Sequence, residues 1–150
     1  MECSHDFGYL MNKAARLTKC KVNQKLSEIG LTFPQFQVIK YLFKEETGSE
    51  DIKARMPAVI AEKLGYDRPT LTGIIDRLEK QRLVDREANP SDRRSQTVTL
   101  TQKARNLMPQ IDNCFREVNS LILVGFEGEE MKQLQNYLFR IMRNLGEPIE

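Results

Sequence analysis

A chain of 150 residues that is 40% hydrophobic is long enough to bury one sizeable core, and its length points to a single domain. A net charge of only +2 excludes a generic polycation, no apolar run approaches the ~18 residues of a membrane span, and residues 1–6 lack the basic start and apolar centre of a signal peptide. Three cysteines, odd in number and unevenly spaced, argue against a disulfide framework and fit a reducing cytoplasm.

From residue 7 to about 29, Phe7, Leu10, Met11, Ala14, Leu17, Val22, Leu26 and Ile29 recur at an approximate helical period, and Gly30 ends the element. Thr32 is placed to cap a second helix with Pro34 in its first turn, and Phe36, Ile39, Leu42 and Phe43 supply its core stripe. Residues 44–55, dominated by Glu45, Glu46, Gly48, Ser49, Glu50 and Asp51, have no apolar pattern to bury, which predicts an exposed, mobile loop. Pro57 suits the first turn of a short helix in which Ile60 and Leu64 share a face, and Gly65 stops it. After a tight turn, Leu71, Ile74, Ile75 and Leu78 form an apolar stripe that must pack inward. The opposite face carries Arg68, Thr70, Thr72, Gly73, Asp76 and Arg77, short or hydrogen-bonding residues that leave the backbone accessible. Two helices meeting at a short turn form a helix-turn-helix, whose second helix enters the major groove.

Residues 83–86 and 97–100 alternate like half-buried strands, and Asn89-Pro90-Ser91-Asp92 between them is turn chemistry. Such a hairpin after a helix-turn-helix is a wing, with Asp92-Arg93-Arg94 near its tip. A guanidinium there reaches a narrow minor groove, whose negative potential attracts arginine. Asp92 is expected to pair with the Arg94 side chain and hold it ready, which reduces the entropy lost on binding. Thr101 then caps a long helix with Ala104, Leu107, Met108, Ile111, Phe115, Val118 and Ile122 inward, and Pro109 predicts a kink near 105–109. Gly125 and Gly128 mark a break. Glu129 and Glu130 suit the opening turn of a last helix, whose stripe of Met131, Leu134, Leu138, Ile141 and Leu145 ends at Gly146 and Pro148. The first and last helices are more apolar than a winged helix requires, so their stripes point to an isologous dimer.

These residues resemble the MarR family of bacterial winged-helix regulators. The shared patterns are Leu31-Thr32 with Gln35-Phe36 and Leu42, Ile60-Ala61-Glu62-Lys63-Leu64, Thr72-Gly73-Ile74-Ile75-Asp76-Arg77-Leu78-Glu79, and Asp92-Arg93-Arg94-Ser95 followed by Leu100-Thr101. Phe7-Gly8-Tyr9-Leu10 makes the SlyA branch look closest, and the likeness extends from about residue 7 to 145. Two features depart from the family pattern. The glycine usual near Gln81-Arg82 is absent, implying a stiffer or extended turn, and the loop at 47–56 is longer and more polar.

The resemblance implies a mainly α fold with a small β-wing, in which a winged helix-turn-helix lobe at about 32–101 is flanked by dimerisation helices at about 6–30 and 102–146. It also implies a cytoplasmic homodimer that regulates transcription, a ligand-responsive repressor reading a pseudo-palindromic operator in double-stranded DNA. The candidate DNA contacts are Arg68, Pro69, Thr70, Thr72, Gly73 and Arg77 on the recognition helix, and Arg86, Asp92, Arg93, Arg94 and Ser95 on the wing. Arginine forks onto guanine, and threonine meets a thymine methyl or a phosphate; Arg86 and Arg93 are read as contacting phosphate or solvent. Residues 68–100 hold seven Lys/Arg against five Asp/Glu, whereas 101–150 hold six against seven, so the DNA-facing part is the more basic.

The family commonly binds aromatic carboxylates. Lys13 and Arg16 share a helix face and Phe33 opens the next helix, so two cations over an aromatic floor would suit a small aromatic acid as effector. The plain alternative is a solvated cationic face with Phe33 in the core. Cys20 lies where some relatives sense peroxide, but Leu17-Thr18-Lys19-Cys20-Lys21 lacks the aromatic partners of that branch, which favours an ordinary thiol; Cys114, beside a core stripe, reads as structural. The single histidine, His5, leaves no clustered metal ligands, and neither a phosphate-cradling glycine loop nor a paired nucleophile is present, which argues against an enzyme. The remaining alternatives are a winged-helix protein-interaction module without DNA binding and a thiol-based regulator of the same fold. A steep salt dependence of DNA binding separates the first, and peroxide sensitivity abolished by Cys20→Ser would support the second.

Overall fold

Helix caps and one tight hairpin set the boundaries of the elements. The computed structural model describes residues 6–48 and 51–147. It places α1 at Phe7–Glu28, α2 at Phe33–Gly48, α3 at Pro57–Leu64, α4 at Arg68–Lys80, β1 at Val84–Asn89, β2 at Asp92–Leu100, α5 at Gln102–Ile122 and α6 at Gly128–Asn144. The expectations that involve Cys3, His5, Ser49, Glu50 and Pro148 fall outside the described residues.

The cap of α2 is stronger than a lone threonine. Thr32 Oγ1 accepts the Gln35 N–H at 3.4 Å while Gln35 Oε1 accepts the Thr32 N–H at 2.9 Å, a reciprocal capping box. The buried Gln35 amide then donates to Gln81 Oε1 at 3.1 Å, and Gln81 Nε2 donates to the Gly30 carbonyl at 3.0 Å. A buried amide is therefore satisfied, and the α1–α2 turn is tied to the end of α4. Thr101 caps α5 as expected, its Oγ1 accepting the Ala104 N–H at 3.2 Å. Pro109 lies inside α5, which continues through it.

The segment read as an exposed loop at 44–55 is largely ordered. α2 runs on to Gly48, and a short 3₁₀ turn follows at Ile52–Arg55. Polar ties hold this region where no apolar stripe exists. The Glu46 carboxylate accepts the Leu100 N–H at 2.8 Å and pairs with Arg105, and the Tyr41 hydroxyl donates to the Ala54 carbonyl at 2.9 Å.

The turn after α4 keeps the geometry that glycine normally supplies. Arg82 has φ 59°, the one non-glycine in the left-handed region among the described residues. Its N–H donates to Glu79 O and the Leu83 N–H to Leu78 O, both at 2.9 Å, closing the helix. The turn is thus not extended. It is clamped from α5, since Lys103 donates to the Gln81 carbonyl and the Thr101 hydroxyl to the Arg82 carbonyl, both at 2.8 Å.

The core gathers Leu26, Leu42, Ile60, Leu78, Val98 and Ile111 among others, and the whole predicted stripe of α4 (Leu71, Ile74, Ile75, Leu78) is buried in it. Each such aliphatic side chain contributes about 1.5–3 kcal/mol by leaving water. The outer helices behave differently. Only Val22 and Leu26 of α1 are buried, and α6 buries none of its described residues. Phe7, Leu10, Leu17, Leu138 and Leu145 are left exposed. Among the described residues, no helix is long and apolar enough to cross a membrane.

Candidate nucleic-acid interface

Gly65, left-handed at φ 74°, ends α3, and two residues later Asp67 opens α4. Asp67 Oδ1 accepts the Thr70 N–H at 2.7 Å. That backbone bond, with a further one from the Thr70 side chain, holds the Asp67 carboxyl below the usual carboxylate range. With the apolar stripe of α4 fixed in the core, its other face is necessarily outward. Arg68, Pro69, Thr70, Thr72 and Arg77 are exposed, and Gly73 is half-buried.

These candidates divide between two grooves. Arg68 and Thr72 share a cavity of about 250 Å³ with Ser95 and Gln96 of the wing and with Met56 and Pro57. Pro69, Thr70, Gly73 and Arg77 line a second groove of about 410 Å³ with Thr32, Pro34 and Ile74. Ser95 is therefore brought to α4, whereas Arg93 and Arg94 stand exposed at the wing tip.

The hairpin register explains how the tip is raised. β1 and β2 pair regularly from Val84↔Leu100 to Ala88↔Gln96, then the register shifts and Asn89 faces Asp92. The residues between Asp92 and Gln96 thus have no opposite number, which lifts Arg93 and Arg94 out of the ladder. The Asn89 carboxamide accepts the Ser91 N–H at 3.0 Å and the Ser95 hydroxyl donates to the Asp92 carbonyl at 3.1 Å, stiffening the tip. Asp92 does act on Arg94, but through a different atom than expected. Its Oδ1 accepts the Arg94 backbone N–H at 2.9 Å, so the carboxylate orders the chain beneath Arg94 rather than its guanidinium.

Arg86 departs from the reading as a phosphate or solvent contact. Its guanidinium spans Asp76 and Glu79 of α4, with both ion pairs at 2.5 Å. A cation held between two carboxylates is committed to the protein, and here it fastens β1 to α4. Arg68, Arg77, Arg93 and Arg94 are in no ion pair among the described residues and keep their charge for a ligand. Sequence reasoning missed Glu79 and Gln96. Glu79 lies one turn from Asp76 on α4, a spacing that could have marked a paired acceptor; Gln96 carries no such signal.

Lys13, Arg16 and Phe33 of the expected effector trio have other surroundings. Lys13 Nζ lies 5.5 Å from the ring centre of Tyr9, its neighbour on α1, and Arg16 is exposed. The cation over Phe33 is Lys19, at 5.1 Å. Phe33 itself tilts against Phe36 at 5.7 Å, and Phe36 against Phe115 at 4.5 Å. Beyond this aromatic row lies a cavity of about 760 Å³ between α2 and α5, lined by Phe36, Phe43, Phe115, Lys40, Lys44 and Arg116 among others. Cys20 is exposed and Cys114 buried; burial pushes the Cys114 thiol up, away from reactivity. Among the described residues no group of three or more His, Cys, Asp or Glu is placed to hold a metal ion.

The crystal structure of MepR, a transcription regulator of the Staphylococcus aureus multidrug efflux pump MepA, superposes with a TM-score of 0.78 at 22% identity, covering 93% of this chain and 98% of that one. An S. aureus MepR–DNA complex matches with a TM-score of 0.69 at 22% identity over 93% and 96% of the two chains. CouR from Rhodococcus jostii, bound to p-coumaroyl-CoA, matches with a TM-score of 0.68 at 24% identity over 92% of each chain. Residues 29–95 match the family described as the MarR family, a span that includes α2, α3, α4 and the wing tip. The six helices and two-stranded wing of the described residues make up the MarR winged-helix fold.

Proposed function

We propose that this protein is a sequence-specific regulator of transcription that binds a pseudo-palindromic operator as a homodimer in the cytoplasm, and represses until a small ligand releases it. The observation that carries this reading is the α4 face. Arg68 and Arg77 stand there unpaired beside Thr72 and Gly73, flanked by a wing that lifts Arg93 and Arg94 clear of its ladder. α4 reads base edges in the major groove, Arg94 enters the adjacent minor groove, and Arg93 meets a phosphate. Arg86 positions the wing rather than touching DNA. Placement in the SlyA-like branch rests on the Phe7-Gly8-Tyr9-Leu10 opening of α1.

The homodimer is supported by the uncovered apolar face: Phe7, Leu10 and Leu17 on α1, with Tyr137, Leu138 and Met142 on α6, stay exposed in the single chain. For the effector we favour the cavity between α2 and α5 over the trio of Lys13, Arg16 and Phe33. Its aromatic floor of Phe36, Phe43 and Phe115 and its three cations Lys40, Lys44 and Arg116 match an aromatic acid. A ligand there acts only through its different affinity for the two spacings of the DNA-binding lobes.

The test is binding of the full chain to duplexes from its own upstream region and from selection out of random DNA, by fluorescence anisotropy across a salt series. Tight binding that weakens steeply with salt and collapses in Arg94→Ala is expected. Weak, equal binding to all duplexes after selection would remove the regulator reading and leave the protein-interaction module.

A further inference from the structure

Gly73 is the one glycine standing inside a helix, away from its ends, among the described residues. Nothing among the described residues asks for it. It is not among the residues of positive φ, and a Cβ built on it meets no atom within 4 Å. A glycine in a helix interior destabilises relative to alanine, because it frees the unfolded backbone and buries nothing. A local rule is broken here with no return to the fold, which marks a position kept for a ligand.

The missing side chain opens onto the groove bounded by Pro34, Pro69, Thr70, Ile74 and Arg77. Its lining is mixed, with the carbon surfaces of Pro34, Pro69 and Ile74 set beside Thr32, Thr70 and Arg77. Both prolines lack an N–H, and the Thr70 N–H is spent on Asp67. The Thr32 hydroxyl oxygen is engaged by the Gln35 N–H, and Ile74 offers only carbon. Arg77 is the one cation on the rim. A phosphate would find the Arg77 guanidinium and the Thr32 hydroxyl proton at the rim, while Pro34, Pro69 and Ile74 offer carbon. The apolar group that a major groove presents is the C5-methyl of thymine.

On the reading of α4 as the recognition helix, we propose that Gly73 is a specificity-determining residue. Its empty Cβ position forms a slot for one thymine methyl in each half-site, with Arg77 on the neighbouring phosphate.

The experiment compares wild type and Gly73→Ala, as full chains, on the selected operator and on duplexes in which each thymine in turn is replaced by deoxyuridine. Thermal melting of both proteins runs alongside. Gly73→Ala is expected to melt at the same or a higher temperature and to bind the thymine operator ~10-fold more weakly. For wild type, deoxyuridine at one thymine per half-site is expected to cost ~4-fold per site, the value of one buried methyl-sized group. At that same position deoxyuridine is expected to restore most of the binding lost by Gly73→Ala. Wild-type affinity in Gly73→Ala, or a loss that no single deoxyuridine repairs, overturns the slot while leaving DNA binding intact. A wild type that binds no duplex overturns the regulator reading and the slot together.

Discussion

Arg86→Ala tests whether the wing is held to the recognition helix from within the protein. The guanidinium is 22% exposed, while its partners Asp76 and Glu79 are 56% and 45% exposed. Both acids are well over a third in solvent, so screening reduces each pair to ~0.2–1 kcal/mol. Losing both lowers fold stability by roughly 0.5–2 kcal/mol, a fall of a few degrees in Tm for a chain of this size. The larger effect is expected on DNA. On the proposed reading of α4 as the recognition helix, Asp76 and Glu79 are left uncompensated beside the DNA and the wing loses its anchor, which together weaken operator binding by about tenfold.

The salt dependence separates positioning from contact. Each phosphate neutralised contributes about 0.9 to the slope of log K against log salt. Arg86→Ala should therefore bind more weakly along a line parallel to wild type, and Asp76→Asn with Glu79→Gln added should recover part of the loss. Anisotropy titrations at four or five salt concentrations measure both quantities. A slope shallower by about 0.9 per protomer, with no recovery on neutralising the acids, would show that Arg86 touches phosphate and that the clamp argument is wrong.

Arg82→Gly should raise Tm by a few degrees, because it relieves a left-handed non-glycine costing ~1 kcal/mol; a lower Tm in thermal melting would contradict this. Leu138→Arg on the uncovered α6 face should shift sedimentation from dimer to monomer while leaving helix content unchanged by circular dichroism. Lys25 and Glu117 pair at 2.6 Å, and the hydrogen bond and charge of Lys25 hold the Glu117 carboxyl below its ordinary value. The same contact raises the Lys25 ammonium. The carboxylate contribution is complete above its unfolded pKa and disappears as pH falls through the depressed folded value. The lysine contribution is complete below its unfolded pKa and disappears as pH rises through the raised one. Wild type should therefore melt above Glu117→Gln at pH 7, and the gap should close as pH falls from the ordinary carboxylate value of about 4.3 through the depressed folded one; a gap that persists below it would refute the linkage.

What could be read from the sequence followed from local periodicity. Leu71, Ile74, Ile75 and Leu78 share a face by spacing alone, and all four are buried. The face opposite them was legible for the complementary reason: Arg68, Thr72 and Arg77 carry no apolar stripe to bury, and all three are exposed. Thr101 and Pro57 announced helix starts through backbone chemistry that acts within one turn. Ties between elements carry no such signal. Glu46 looked like loop because its partners lie 54 and 59 residues away, at Leu100 and Arg105. Gln35 meets Gln81 across 46 residues. Neither pairing can be inferred until α2, α4 and α5 are packed.

Short spacing also has limits. Asp92 and Arg94 were the right pair, but spacing does not say which nitrogen the carboxylate takes, and the hairpin shift gave it the backbone N–H. Lys13 and Arg16 do share a helix face, yet it is Lys19 that reaches Phe33. Arg86 shows the consequence most clearly. Counted as charge, it belonged with Arg93 and Arg94 on a basic wing. Placed by the pairing of β1 with β2 and the packing of β1 on α4, it neutralises two acids that, on the proposed reading, would otherwise repel the DNA. A basic residue near a nucleic-acid surface thus contributes through where its own carboxylates stand, and that is a property of the packed lobe rather than of the residue.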